Sequence, residues 1–162
     1  MAIHKLDLGE FDEIDYHLIA IHTSLEDYRL AYFINQKLPI NLGKNENEIQ
    51  INIKEGETKF SRFYYYDVEK AISWNLIQNK NEVIQQKKNN GQNLFSNISM
   101  EVSTKVYLLS EFKKVDYFLK IENLEETMNV EEIQALLNTI DNISTAYAVE
   151  TNKIKAKNNL IF

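Results

Sequence analysis

Apolar residues recur along this chain with two different periods, and each change of period marks an element. The run Ile14-Asp15-Tyr16-His17-Leu18-Ile19-Ala20-Ile21-His22 is almost continuously apolar and aromatic over the length of a strand, which predicts a central one. Ser24-Leu25-Glu26-Asp27 then offers a hydroxyl cap followed three residues later by a carboxylate, so a helix is expected with Ser24 as its cap. Leu25, Tyr28, Leu30, Tyr32, Phe33 and Leu38 form its apolar stripe, and Pro39 ends it by disfavouring helix at Leu38.

From Glu48 the period falls to two. Ile49, Ile51 and Ile53 alternate with Gln50, Asn52 and Lys54, the pattern of a strand with one wet face, and Glu55-Gly56-Glu57 reads as a turn. Thr58 to Val68 reads as one aromatic strand and Ala71 to Ile77 as a third. Asn79-Lys80-Asn81 reads as a turn and Val83-Ile84 as a short edge strand, so the middle of the chain is a meander. Gln85 to Asn93 has no apolar anchor and predicts an exposed mobile loop; Gly43 to Glu48 is a shorter one. Val102 to Leu109 and Val115 to Ile121 read as strands joined by Ser110 to Lys114. Asn129 caps a helix with the stripe Val130, Ile133, Leu136, Leu137 and Ile140, and Ile143 to Val149 closes the pattern as a strand. The tail from 153 to 162 reads as solvated as far as Asn159, with Leu160-Ile161-Phe162 able to dock.

This order predicts a single α+β domain spanning 1–162, a mostly antiparallel sheet with two helices packed on one face. The strand–helix units beginning Asp15-Tyr16 and Asp116-Tyr117 resemble each other, although chance recurrence of two common residues is the simpler account.

Composition narrows the function classes. The 162 residues include no cysteine, which rules out a disulfide framework, a thiolate metal site and a cysteine nucleophile, and suits a reducing cytoplasm. No stretch has the length and apolarity of a secretory signal or a membrane span, so a cytoplasmic protein without a membrane association is expected. The net charge of -6 gives no overall attraction to nucleic acid. Four scattered glycines build neither a phosphate-cradling loop nor a dinucleotide fingerprint, and no cofactor is expected.

The segment Leu109-Ser110-Glu111-Phe112-Lys113-Lys114-Val115-Asp116-Tyr117 resembles the signature of the IPExxxVDY family of small bacterial proteins. Glu111, Val115, Asp116 and Tyr117 match it as they stand, while Leu109 and Ser110 replace its Ile-Pro. The strand-like Asp-Tyr-x-Leu segment near the N-terminus and Ser24 to Tyr32 extend the similarity over nearly the whole chain. Membership implies no particular activity. Serine in place of proline frees φ and restores an N–H, so a rigid turn is not the sole purpose of the motif here.

Glu111 and Asp116 stand five residues apart across a connection, close enough in sequence for their carboxylates to converge for acid–base work or on a hard cation. The structural alternative is that they bind turn N–H groups or pair with Lys113 or Lys114, while Tyr117 packs with its hydroxyl satisfied. His17 and His22 fall on opposite sides of a strand and His4 lies apart, so no metal is expected. Ser24 lacks a nucleophile elbow, and capping accounts for it. Lys59 to Tyr66 interleaves bases and aromatics in the manner of a nucleic-acid stacking platform, but alternate rings filling a core are the simpler reading.

The leading expectation is therefore a non-enzymatic interaction or adaptor domain, binding a protein partner or a second copy as a homodimer through an uncovered sheet face or edge. Phe63, Tyr64, Tyr65, Tyr66 and Trp74 are the candidate interface residues. The alternative is a small-molecule sensor with a pocket between Glu111–Tyr117 and the first helix, where Asp27 and Arg29 would bind a carboxylate or phosphate.

Overall fold

A computed structural model describes residues 16–54, 56–88, 99–124 and 128–162. Strand β1 (Tyr16–Thr23) leads into helix α1 (Asp27–Lys37), and six strands follow: β2 (Gly43–Lys44), β3 (Ile49–Ile53), β4 (Gly56–Phe60), β5 (Arg62–Asp67), β6 (Ile72–Gln78) and β7 (Lys80–Lys88). Strands β8 (Ser99–Tyr107) and β9 (Tyr117–Glu122), helix α2 (Val130–Leu137) and strand β10 (Ile143–Ala148) complete the main elements. Six strands form an antiparallel sheet in the order β10-β1-β9-β6-β5-β2, while β3-β4 and β7-β8 are separate antiparallel hairpins. The class is α+β with antiparallel sheets.

Several boundaries differ from the sequence pattern, each for a physical reason. Helix α1 begins at Asp27 after a non-bonding Glu26 cap, and Ser24 is exposed rather than capping. The hydroxyl that acts here belongs to Thr23: it accepts from the Leu25 N–H at 3.1 Å and donates to the Asn142 carbonyl at 2.7 Å. The C-terminal end is as the sequence indicates, with Leu38 extended before Pro39.

The aromatic stretch Thr58 to Val68 is two strands broken at Ser61, because β4 pairs with β3 whereas β5 pairs with β6 in the main sheet. The short edge strand at Val83-Ile84 is instead the nine-residue β7, whose polar half is held by its ladder to β8. Of the loop expected at 85–93, residues 85–88 continue β7 and 89–93 lie outside the described residues. Strand β4 begins at Gly56, whose φ of +133° is a conformation that a side chain would strain.

Register decides which side chains share a face. Phe63, Leu76, Leu119 and Ile19 stand opposite one another across four strands, and Tyr65, Trp74 and Ile121 form the next row. These rows join Leu30, Ala31 and Ile34 of α1 and Ile133 and Leu137 of α2 in one buried cluster. Ala20, Phe118 and Ile77 point the other way. They join Phe60 and Ile49 of the β3-β4 hairpin, Leu108, Leu109 and Val115 of the β8-β9 connection, and Ile154 and Leu160 of the tail. The second sheet face is thus not left uncovered; Ile154, in the stretch expected to be solvated, is buried, and so is Leu160, where docking was expected.

The outer edge of β10 is closed by side-chain amides from α2. Asn138 accepts from the Ala146 N–H and donates to its carbonyl, both at 2.9 Å, and the Gln134 amide oxygen accepts from the Ala148 N–H at 3.2 Å. At the far side β2 contributes only two residues. Short or covered edges of this kind resist strand addition by another chain. No helix among the described residues is long and apolar enough to cross a membrane.

Candidate functional site

The signature residues are brought to one end of the sheet, but they face different partners. Asp116 precedes β9; its Oδ2 accepts from the Thr23 N–H at 2.9 Å and its Oδ1 lies 2.8 Å from Lys80 Nζ. Glu111 sits in a short 3-10 turn, and its Oε1 accepts from the N–H groups of Lys155 at 2.7 Å and Ala156 at 3.1 Å. The two carboxylates are therefore committed to separate backbone segments and do not form an acid–base pair. Burial pushes the Glu111 carboxyl up, but the N–H groups of Ala156, Glu111 and Lys155 and the Lys155 charge together bring it below the usual range. Tyr117 is buried and its hydroxyl donates to the Leu25 carbonyl at 2.9 Å, with burial and then the nearby charges of Asp27, Asp116 and Glu26 pushing it up to about 12. Val115 lies in the apolar cluster of the second face.

The hub of this region is Asn79, which the sequence pattern marks only as a turn residue. It is 0% exposed, and its side chain donates to the carbonyls of Phe112 at 2.9 Å and Val115 at 2.8 Å while accepting from the Leu109 N–H at 2.9 Å. Its backbone donates to the Asp116 carbonyl at 3.0 Å and accepts from Leu108 at 2.9 Å. One residue thus organises the whole connection from Leu108 to Asp116.

The sensor pocket is not assembled from the residues expected of it. A surface groove of about 380 Å³ runs along Ser110 to Val115 against Tyr147, but neither Asp27 nor Arg29 lines it. Arg29 is exposed on α1, and the half-buried Asp27 accepts from the Tyr28 N–H at 2.8 Å. His17 is exposed, whereas His22 stacks on Tyr147 with 5.5 Å between ring centroids.

A more unusual constellation lies on the sheet face opposite the core shared with the helices. Tyr64, Asn75, Lys120 and Leu18 form a row across β5, β6, β9 and β1, and Tyr66, Ser73, Glu122 and Tyr16 form the next. Lys120, in the middle of the sheet, is only 5% exposed. A buried ammonium must be paired. Its Nζ donates to the Leu160 carbonyl at 2.7 Å, lies 2.5 Å from Glu122 Oε1 and sits 5.1 Å from the centre of the Tyr16 ring.

Beside it Arg62 Nε donates to Asn75 Oδ1 at 2.8 Å, and desolvation pushes the guanidinium down in spite of the opposing influence of Tyr64 and Glu122. The Phe162 ring covers both cations, 4.7 Å from Lys120 Nζ and 4.5 Å from Arg62 Cζ, while remaining 41% exposed. The Tyr16 hydroxyl is buried with no hydrogen-bond partner.

The expected interface residues divide by register between these two faces. Trp74 at 2% exposed and Phe63 at 6% lie in the core shared with the helices, Tyr65 packs against it, and none of the three is a surface anchor. Tyr64 and Tyr66 point to the polar face, where Tyr66 is 44% exposed. Asn75, Lys120 and Glu122 were missed. The signal for Asn75 and Lys120 was a polar residue interrupting each of two apolar runs, Trp74-Asn75-Leu76 and Leu119-Lys120-Ile121.

Among the described residues no three or more histidines and carboxylates are grouped to hold a metal ion. Compared with protein-family models, with curated proteins and with solved structures, the chain matches none.

Proposed function

We propose that the chain is a cytoplasmic interaction domain of the IPExxxVDY family and not a catalyst. In this reading both helices cover one sheet face, and the opposite, polar face receives a segment of a protein partner or of a second copy. The observation that carries the reading is the row Tyr64–Asn75–Lys120, where an amide and an ammonium are built into a sheet face lying under residues from the chain's own end. A face serving only as a core would be expected to be apolar, because each buried polar group costs free energy unless it is paired. The face already holds a peptide segment: Leu160 is buried, its carbonyl accepts from Lys120, and Phe162 lies across two cations. Such a seat can accept a similar segment in trans. The signature residues support this role indirectly, because Glu111 holds the start of the docked tail through Lys155 and Ala156.

The test uses a dye-labelled peptide of residues 150–162, titrated against the full chain carrying Leu160→Ala and Phe162→Ala so that its own segment is weakened. Saturable binding that is lost when Lys120→Met is added supports the reading. Absence of saturable binding up to about 1 mM, the range in which a tethered segment competes, overturns it. Light-scattering masses recorded on the wild-type chain separate self-association from partner binding.

A further inference from the structure

The donors and acceptors of the polar face do not balance. Lys120 uses two of its three N–H groups, on the Leu160 carbonyl and on Glu122. Arg62 uses only Nε, on Asn75, and among the described residues its two terminal nitrogens meet no acceptor. The buried Tyr16 hydroxyl, whose ring lies against Lys120, also has no partner. Two cations share one carboxylate, Glu122, in a chain whose overall charge is -6. An anionic group matches these donors best: a half-buried guanidinium gains from a carboxylate that meets its two terminal nitrogens in fork geometry. The segment Asn158-Asn159-Leu160-Ile161-Phe162 supplies a ring and a carbonyl to these cations, and none of its side chains is a carboxylate.

We infer that the segment bound by this face carries an aromatic side chain next to a carboxylate. It is an acidic–aromatic peptide that places its ring between Lys120 and Arg62, where Phe162 now lies, and its carboxylate on the free nitrogens of Arg62. This rests on the reading of the polar face as a binding surface and adds the chemistry of what it selects. Ring and charge act together: the ring alone repeats what Phe162 provides, and the carboxylate alone leaves the cation faces open. Phe162 is then a displaceable occupant, and removing it raises affinity by ending competition within the chain.

The experiment titrates the full chain carrying Phe162→Ala with three capped tripeptides, acetyl-Glu-Phe-Glu-amide, acetyl-Gln-Phe-Gln-amide and acetyl-Glu-Ala-Glu-amide, followed by calorimetry. The expected result is that the first binds about tenfold more tightly than either of the others and more tightly than it binds the wild-type chain. Its affinity should also fall as salt rises, because an exposed charge contact is screened. Adding Arg62→Gln should erase the preference for Glu over Gln while leaving the unfolding midpoint close to that of Phe162→Ala. If Arg62→Gln does not fold, the salt dependence on Phe162→Ala alone decides. Equal binding of the Glu and Gln peptides, or affinity indifferent to salt, overturns the inference and leaves the binding-surface reading standing. Failure of all three tripeptides while the 150–162 peptide binds does the same, and failure of both kinds of peptide overturns both.

Discussion

The Lys80 ammonium lies 2.8 Å from one oxygen of Asp116 while the other oxygen accepts from the Thr23 N–H at 2.9 Å. Two bonds from one carboxylate thereby tie the start of β7 to the end of β1, with the Asp116 backbone adding a bond to the Ile21 carbonyl at 3.1 Å. Asp116→Asn keeps the size of the side chain but replaces one acceptor oxygen with a donor that faces either the ammonium or an N–H. The expected loss is on the order of 1–3 kcal/mol of unfolding free energy. Lys80→Met should cost no more than about 1 kcal/mol, because the pair is partly exposed. Denaturant unfolding with light-scattering mass checks this. An unchanged midpoint for Asp116→Asn would remove the tie from the account.

Asn79→Ala should be the most damaging single change in the region. It leaves the Leu109 N–H and the carbonyls of Phe112 and Val115 without their partner in a site closed to water. With three buried groups losing a bond at about 1 kcal/mol or more each, a loss on the order of 3–5 kcal/mol is expected. Asn79→Asp retains the acceptor for Leu109 but loses both donors, so it should fall close to Asn79→Ala. A loss below about 1 kcal/mol in denaturant unfolding would show that the connection does not depend on this residue.

Acid should loosen the tail. The carboxyl of Glu111 is held below its ordinary value of 4.5 in the folded chain, so its contribution is fully present above that pH and is lost as pH falls through the lower folded value. Hydrogen exchange at the Lys155 and Ala156 amides, corrected for intrinsic rates, should show less protection below pH 4.5 than at neutral pH. Glu111→Gln should remove that pH dependence. Equal protection at both pH values would show that the carboxylate does not hold the segment.

Base should act through Tyr117. Its phenol titrates at about 12 in the folded chain against an ordinary 10.0, so the folded state keeps a proton that the unfolded chain gives up, and stability falls as pH rises from 10.0 towards 12. Tyr117→Phe should lose about 1 kcal/mol at neutral pH through the unpaired Leu25 carbonyl and should show a shallower decline in the alkaline range. Parallel unfolding curves for the two proteins at high pH would count against the assignment.

Periodicity carried the elements further than it carried their partners. The cap at Asn129 was legible because a local bond makes it, its side chain accepting from the Glu132 N–H at 2.8 Å. The break at Ser61 was not, since Thr58 to Val68 is uniformly favourable for strand and only the choice of ladder partner divides it. Alternation told that neighbouring aromatics face opposite sides, but not which side carries the helices, so Trp74 and Phe63 were placed at a surface they do not reach. Asn79 reads locally as a turn residue, and its role comes from partners about 30 residues away, which no window of sequence contains. Glu111, Asp116 and Tyr117 read as chemistry because they are two acids and a tyrosine; in three dimensions each bonds the backbone of a distant segment.

Strand β1 has consequences for how the protein is made. Its two neighbours are β9 and β10, whose pairing residues begin at Tyr117 and Ile143, so once made it waits for about a hundred further residues before it can pair. At about 5–20 residues per second that delay is on the order of 5–20 s, far longer than the microseconds in which a hairpin forms. Throughout it, Leu18, Ile19, Ala20 and Ile21, all buried in the finished sheet, are bare. The apolar β1 segment is therefore an aggregation risk during synthesis, a consequence of pairing a strand with partners made much later.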